Sequence, residues 1–251
     1  MRILIAGDSW GYCWNPDGHG GGQHPGIEKI LTERGYTVVN LATAGFSNIQ
    51  AVETIEKYSE SVDVCIFIQT EPIREWWIGN DVDRSNVTRP VLDAQRVLDM
   101  AKQHNGLVPA MDHFLQTNVY NRLQLWSKVK QVPVLLVGGC SRINPDMVPE
   151  LLTVALPSWC EFLFKNNNFK DHIFQDTGQW LSHEYANLVH KSRDTDLMID
   201  WFQVTQDVLD KAVFRLNNEE YFKPDPWHPN FKGHEKLVDF LEKNFFSDIG
   251  N

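Results

Sequence analysis

The sequence is short of most features that mark a specialised architecture. It has four cysteines in 251 residues (Cys13, Cys65, Cys140 and Cys160), with no CxxC pair and no paired rhythm. That is not the spacing of a disulfide framework; it fits free, buried thiols in a reducing compartment. No apolar run approaches the ~20 residues that a membrane-spanning helix needs, so no membrane partner is expected. No repeat or biased tract is present, which excludes a fibre or a low-complexity chain. Positive charge is in deficit: 23 Lys and Arg stand against 33 Asp and Glu, a net charge of −10. A protein that coats nucleic acid needs clustered cations to neutralise phosphates, so no nucleic-acid partner is expected either. The glycine-rich segment from Gly11 to Pro25 lacks the Gly-Lys pair of a phosphate-binding loop, and no histidine falls in an HExxH or similar ligand spacing. Neither a metal nor a cofactor is expected.

What is present is an ordinary globular composition, 42% hydrophobic, in a length that fits one large α/β domain or two small ones. Short apolar runs alternate with amphipathic segments. Arg2–Ala6, Thr37–Leu41, Val62–Ile68 and Val132–Gly138 read as strands, the first apolar enough to be buried on both faces. Ile27–Arg34 has helical spacing with Gly35 as its stop. Ser47 or Asn48 can cap a helix carrying Ile49, Val52, Ile55 and Tyr58. Phe231–Phe246 reads as a terminal helix with Leu237, Phe240 and Leu241 on one face. The alternation predicts a parallel sheet with helices on both sides.

Two stretches exceed a simple crossover, at about 73–131 and 140–222. Both read as mostly helical, and neither is bordered by a Pro/Gly/Ser linker. The chain is therefore read as one domain, 1–251, with two insertions. A fifth strand has no firm place; His172–Gln175 and Leu197–Asp200 are weak candidates. The N-terminal apolar stretch Ile3–Ala6 is four residues long, shorter than the ~7–15 of a signal-peptide core. A cytoplasmic location is expected, and the oligomeric state is left open.

The sharpest local feature is Gly7-Asp8-Ser9-Trp10-Gly11, directly after the first strand. A serine at the carboxyl end of a parallel strand sits where open α/β sheets place their ligands. To act as a nucleophile it needs a base, an orienting acid and donors for an oxyanion. Pro224-Asp225-Pro226-Trp227-His228-Pro229 supplies an acid and a base three residues apart on a proline-flanked loop. There Asp225 can hold the His228 imidazole by Nδ1–H and leave Nε2 facing a serine. Gly7-x-Ser9-x-Gly11 also fits a nucleophile-elbow pattern, and His19-Gly-Gly-Gly22 fits a lipase oxyanion loop. The order is wrong for that fold, since only six residues precede the Gly7 motif and the histidine-glycine run follows the serine.

Taken in chain order, these blocks resemble the GDSL/SGNH hydrolases. Gly7-Asp8-Ser9-Trp10 resembles the first block, whose serine is the nucleophile. Asn40-Leu-Ala-Thr-Ala-Gly45-Phe-Ser-Asn48 resembles the second, whose glycine supplies an oxyanion N–H. Asp225-Pro-Trp-His228 resembles the last, which supplies acid and base. The resemblance implies a flavodoxin-like three-layer α/β/α sandwich with a central parallel sheet, and hydrolysis of esters, thioesters or O-acyl groups. It implies Ser9, His228 and Asp225 as the triad, and the N–H groups of Ser9 and Gly45 in the oxyanion hole.

One block departs from the pattern. The family's third block carries an Asn that donates to the oxyanion; here Gln69-Thr70-Glu71-Pro72 follows the third strand. An ionised Glu only accepts hydrogen bonds and would repel an oxyanion. Gln69 is the favoured substitute because it is a carboxamide, with the Thr70 hydroxyl and Asn48 as further options. Trp10 and Trp227, next to the nucleophile and the base, are expected to line the cleft with Asn48. Arg74 could hold an anionic group or pair with a neighbouring glutamate. The expected substrate is a small-molecule or carbohydrate ester, such as an acetylated sugar. The rival readings are a non-catalytic binding module on the same fold and a lipase or thioesterase.

Overall fold

Strand β1 (Arg2–Gly7) is buried from Ile3 onward, and β3 (Val64–Gln69) and β4 (Val134–Gly138) are buried throughout. Such continuous apolar strands are stable only when both faces of a sheet are covered. The structure is a computed structural model describing residues 1–12, 26–70, 115–139, 143–163, 221 and 229–249. With β2 (Thr37–Asn40) and β5 (Leu152–Leu156), the strands form one sheet, every pairing parallel, in the order β2-β1-β3-β4-β5.

Alternate residues feed two cores. Ile3, Ile5, Ile66, Ile68, Leu135 and Val137 face the first. They pack against α1 (Gly26–Glu33), α4 (Trp159–Leu163) and α5 (Phe231–Leu241). Leu4, Ala6, Cys65, Phe67, Val134 and Leu136 face the second, with α2 (Asn48–Lys57) and α3 (Asn121–Lys130). The result is the predicted α/β/α sandwich of flavodoxin-like topology. The chain leaves β1 toward β2, then crosses back to β3. The junction between β1 and β3 is therefore a topological switch point, where the loops diverge and leave a crevice at the carboxyl ends of the strands.

Three local devices set the frame. Ser47, rather than Asn48, caps α2: its side chain accepts from the Gln50 N–H while the Gln50 side chain returns a bond to the Ser47 N–H. A π-helical turn (Leu115–Tyr120) leads directly into α3. The side chain of Arg34, just past the end of α1, bonds Asp239 at 2.7 Å and also Glu242, fixing α5 against α1.

The structure differs from the sequence-based expectations in two places. The fifth strand is Leu152–Leu156, inside the stretch read as a helical insertion. It is an edge strand of Leu, Thr, Val and Ala, and its pairing with β4 shifts register between Leu136 and Val137. The two weaker candidates, His172–Gln175 and Leu197–Asp200, lie outside the described residues. The terminal helix is α only to Leu241 and continues as a π turn, Glu242–Phe246. Its buried face is Leu237, Val238 and Leu241, with Phe240 only partly buried. Among the described residues no helix is long and apolar enough to cross a membrane.

Candidate active site

Gly7 ends β1 at φ +150°, and a Cβ there would lie 2.5 Å from the Ile68 carbonyl oxygen. Only glycine lets the two central strands approach this closely where the chain turns out of the sheet. Asp8 follows, fully buried. Its carboxylate accepts from the Trp10 N–H at 3.0 Å and the Thr70 hydroxyl at 2.7 Å. Its carbonyl accepts from the N–H groups of Gly11 and Tyr12, each at 3.1 Å. The Asn40 side chain donates to the Gly11 carbonyl at 2.9 Å. Ser9 therefore sits on a turn tied to β2 and β3, at the switch point, with 5% of its surface exposed.

The loop after β2 is drawn to the same place by the Thr43 N–H, which donates to the Gly7 carbonyl at 3.1 Å. Thr43 to Phe46 form a turn closed by the Phe46 N–H to the Thr43 carbonyl at 3.1 Å. Gly45 holds its third position at φ +80°, the conformation a type II turn requires there. The turn's bond uses the Phe46 N–H, not that of Gly45, and Gly45 is exposed.

The third wall is the end of β3. Asn48 clamps Thr70 from α2: its Oδ1 accepts the Thr70 N–H at 2.9 Å and its Nδ2 donates to the Thr70 carbonyl at 3.2 Å. The Thr70 hydroxyl proton goes to Asp8. Gln69 is fully buried, and its Oε1 accepts from the Tyr120 hydroxyl at 2.6 Å. Of the three side chains considered as an extra oxyanion donor, Thr70 and Asn48 thus serve the backbone frame. Gln69 is held by its oxygen, which turns its amide nitrogen away from Tyr120.

The fourth side is aromatic. Trp10 is 2% exposed and stacks edge-to-face on Trp159, ring centres 5.5 Å apart. Its ring, expected from the sequence to line the cleft, is spent on the core. Trp159 meets the His234 ring edge-to-face at 4.9 Å, and its Nε1–H donates to the Gly233 carbonyl at 3.3 Å. The first turn of α5 is thereby joined to the residue after Ser9. Asn230 caps that turn by accepting from the Gly233 N–H at 3.2 Å. A Cβ at Gly233 would come to 3.0 Å of the Pro229 side chain and 3.2 Å of the Tyr221 carbonyl oxygen, so the turn is packed tightly there.

Asp225, Trp227 and His228, together with Arg74 and Glu71, lie outside the described residues, as do Cys13 and Cys140. Cys65 is buried in β3, and burial pushes its thiol far up from the ordinary range, so it is no nucleophile. Among the described residues no cluster of His, Cys, Asp and Glu could hold a metal ion. Tyr120 and Trp159 escaped the sequence reading. Each reaches the site from a helix far along the chain, and no local pattern marks that.

No family model matches the chain, and no curated protein matches it. Among solved structures, it is similar to the acetyl xylan esterase AlAXEase, at 13% identity and TM-score 0.41, over 98% of this chain and 100% of that one. It is similar to the psychrotrophic esterase EstA from Pseudoalteromonas sp., at 13% identity and TM-score 0.42, over 100% and 99%. It is also similar to TesA, at 12% identity and TM-score 0.36, over 98% and 99%. At such identities and scores these likenesses carry no weight for the chemistry, which has to come from this chain's own residues.

Proposed function

We infer that the protein is a serine hydrolase of ester bonds. The observation that carries this is the placement of Ser9: a turn pinned by buried Asp8, at the carboxyl end of a central strand and the switch point of the sheet. The tie from Trp10 through Trp159 to the first turn of α5 supports it, because Asp225 and His228 immediately precede that helix in sequence.

In this reading the Ser9 Oγ attacks the ester carbonyl while His228 takes its proton. Asp225 orients His228 and stabilises its charged form. The N–H groups of Ser9 and Gly45, with the Gln69 amide, receive the charge that develops on the carbonyl oxygen. His228 returns the proton to the leaving alcohol, then activates the water that cleaves the acyl-enzyme. The substrate we favour is a small neutral ester, such as an acetyl group on a carbohydrate; the net charge of −10 disfavours a polyanion.

The test is labelling with a fluorophosphonate, wild type against Ser9→Ala. The expected result is a covalent adduct on the folded wild type, mapped to Ser9 and lost in the variant. A folded wild type that takes no label overturns the catalytic reading.

A further inference from the structure

Asp225 and His228 stand in sequence between Tyr221 and Asn230. Those two residues meet in the structure: the Asn230 N–H donates to the Tyr221 carbonyl at 2.7 Å. The chain between them therefore leaves and returns at one point, and closing that point limits the freedom of everything strung from it. The closure is packed as well as bonded. Pro229 directly follows His228 and is buried. A Cβ on Gly233 would stand 3.0 Å from the Pro229 side chain, and 3.2 Å from both the Leu163 side chain and the Tyr221 carbonyl oxygen. The returning end thus rests on the first turn of α5 with no room to slide.

The departing end is held through the Tyr221 ring. Lys236 comes three residues after Gly233, and so on the same face of α5. Its ammonium stands 4.7 Å from the centre of the Tyr221 ring and 5.2 Å from that of Phe162 on α4, and it donates to the Tyr221 hydroxyl at 3.5 Å. A cation within about 6 Å of a ring centre is attracted by the negative face of the ring. Phe162 is itself backed by Phe240, ring centres 5.1 Å apart, so the second ring is an anchored one. Among the described residues no carboxylate pairs with Lys236, although the chain carries 33 Asp and Glu. Its charge is directed at two rings instead.

We propose that Lys236 is a positioning residue, which clamps Tyr221 to α4 and α5 and so fixes the point from which the segment carrying Asp225 and His228 is strung. The role rests on the hydrolase reading above. The turn that carries Ser9 is joined to the same first turn of α5 through Trp10 and Trp159, so the clamp and the nucleophile share one frame. Proton transfer between Ser9 and His228 is sensitive to that frame, since a catalytic group displaced by about 1 Å can cost about 10² in rate.

The experiment compares wild type, Lys236→Met, Lys236→Arg, His228→Ala and the His228→Ala/Lys236→Met double variant. It reads turnover of p-nitrophenyl acetate and hydrogen exchange of the Asn230 amide. Lys236→Met keeps an apolar stem and removes the charge. It should speed exchange at Asn230 by roughly 2- to 30-fold, the factor that a cation–π contact supplies. It should lower kcat by roughly 10-fold with KM within about twofold, as expected of a displaced catalytic group. Lys236→Arg keeps a cation over the rings and should bring both readings to within about threefold of wild type. In the His228→Ala background, Lys236→Met should change the residual rate by less than about twofold, because the clamp acts only through the segment that bears His228. Wild-type kcat in Lys236→Met, or a loss of the same size in the His228→Ala background, overturns the positioning role and leaves the hydrolase reading intact. Unchanged exchange at Asn230 overturns the clamp itself. A wild type that takes no fluorophosphonate label overturns the hydrolase reading and the positioning role together.

Discussion

The hydroxyl of Thr70 donates to the carboxylate of Asp8 at 2.7 Å, and so ties the end of β3 to the turn that carries Ser9. Asp8 has no exposed surface, and the Trp10 N–H supplies its other oxygen with a donor. Thr70→Val keeps the shape and removes the donor. Removing a hydrogen bond to a buried carboxylate costs about 1–3 kcal/mol, so the urea midpoint should fall accordingly. Thr70→Ser keeps the hydroxyl and should recover most of that loss. Fluorophosphonate labelling of the valine variant should slow as well, since the same bond steadies the nucleophile turn. A valine variant as stable as wild type would show that the bond contributes nothing.

Gly7 faces a harder constraint. A side chain there meets the Ile68 carbonyl oxygen at 2.5 Å, and the backbone holds φ +150°. Neither the carbonyl of a central strand nor the strand itself can move aside cheaply. Gly7→Ala should therefore destabilise by about 2–5 kcal/mol, combining backbone strain with overpacking. Gly45→Ala makes a useful contrast. Its Cβ would meet nothing within 4 Å, leaving only the strain of φ +80°, about 1–2 kcal/mol. Urea unfolding of the two variants should rank them in that order.

The parts of the molecule that were legible in the sequence are those governed by local rules. Strands β1, β3 and β4 announce themselves because burial on two faces demands unbroken apolar runs. The start of α2 was legible as Ser47 or Asn48, and the reciprocal pair of Ser47 with Gln50 decides for Ser47. The loops beside Ser9 were legible through the resemblance of Gly7–Trp10 and Asn40–Asn48 to two family blocks, and in the structure Gly7 and Gly45 hold positive φ there. Strand β5 was missed because it sits at the edge, carries an exposed Thr153 within its apolar run and breaks its period at the register shift beside Leu136. The partners of the site side chains were not legible at all. Thr70 reads in sequence as a donor in waiting, yet its proton goes to Asp8. The pairing of Gln69 with Tyr120 exists only because α3 packs on the second face of the sheet, a tertiary outcome with no short-range signature.

Cys65 is the second residue of β3, paired in register with Leu4 on one side and Val134 on the other. It is fully buried, and burial pushes its thiol far above the ordinary range. The thiolate is the reactive form, so both access and ionisation protect it. Native protein treated with iodoacetamide at pH 8 should leave Cys65 unmodified, and the same treatment in urea should modify it fully. Peptide mapping by mass spectrometry reads the difference. Modification under native conditions would mean that β3 opens locally far below the cost of global unfolding.

Helix α3 is held to α2 by a second device besides its buried face. Arg122 grips Glu56 with two bonds, Nε to Oε1 at 2.9 Å and Nη2 to Oε2 at 2.5 Å. The guanidinium holds the Glu56 carboxyl below the usual carboxylate range, against a smaller opposing effect of burial. An acid whose value is lowered by folding contributes stability above its unfolded value, and that contribution disappears as pH falls through the folded value. Both side chains are partly exposed, so the pair is worth only about 0.2–1 kcal/mol. Glu56→Gln should lose that amount at pH 7. The gap between variant and wild type should begin to close as pH falls below the unfolded carboxyl's value of about 4, and close fully once the folded carboxyl, whose value lies lower, is protonated as well. Salt should narrow the gap at pH 7 as well. Urea titrations at pH 7 and pH 3.5, with and without 1 M salt, check both signs at once; a gap that widens in acid would reverse the assignment of Glu56 as the ionised partner.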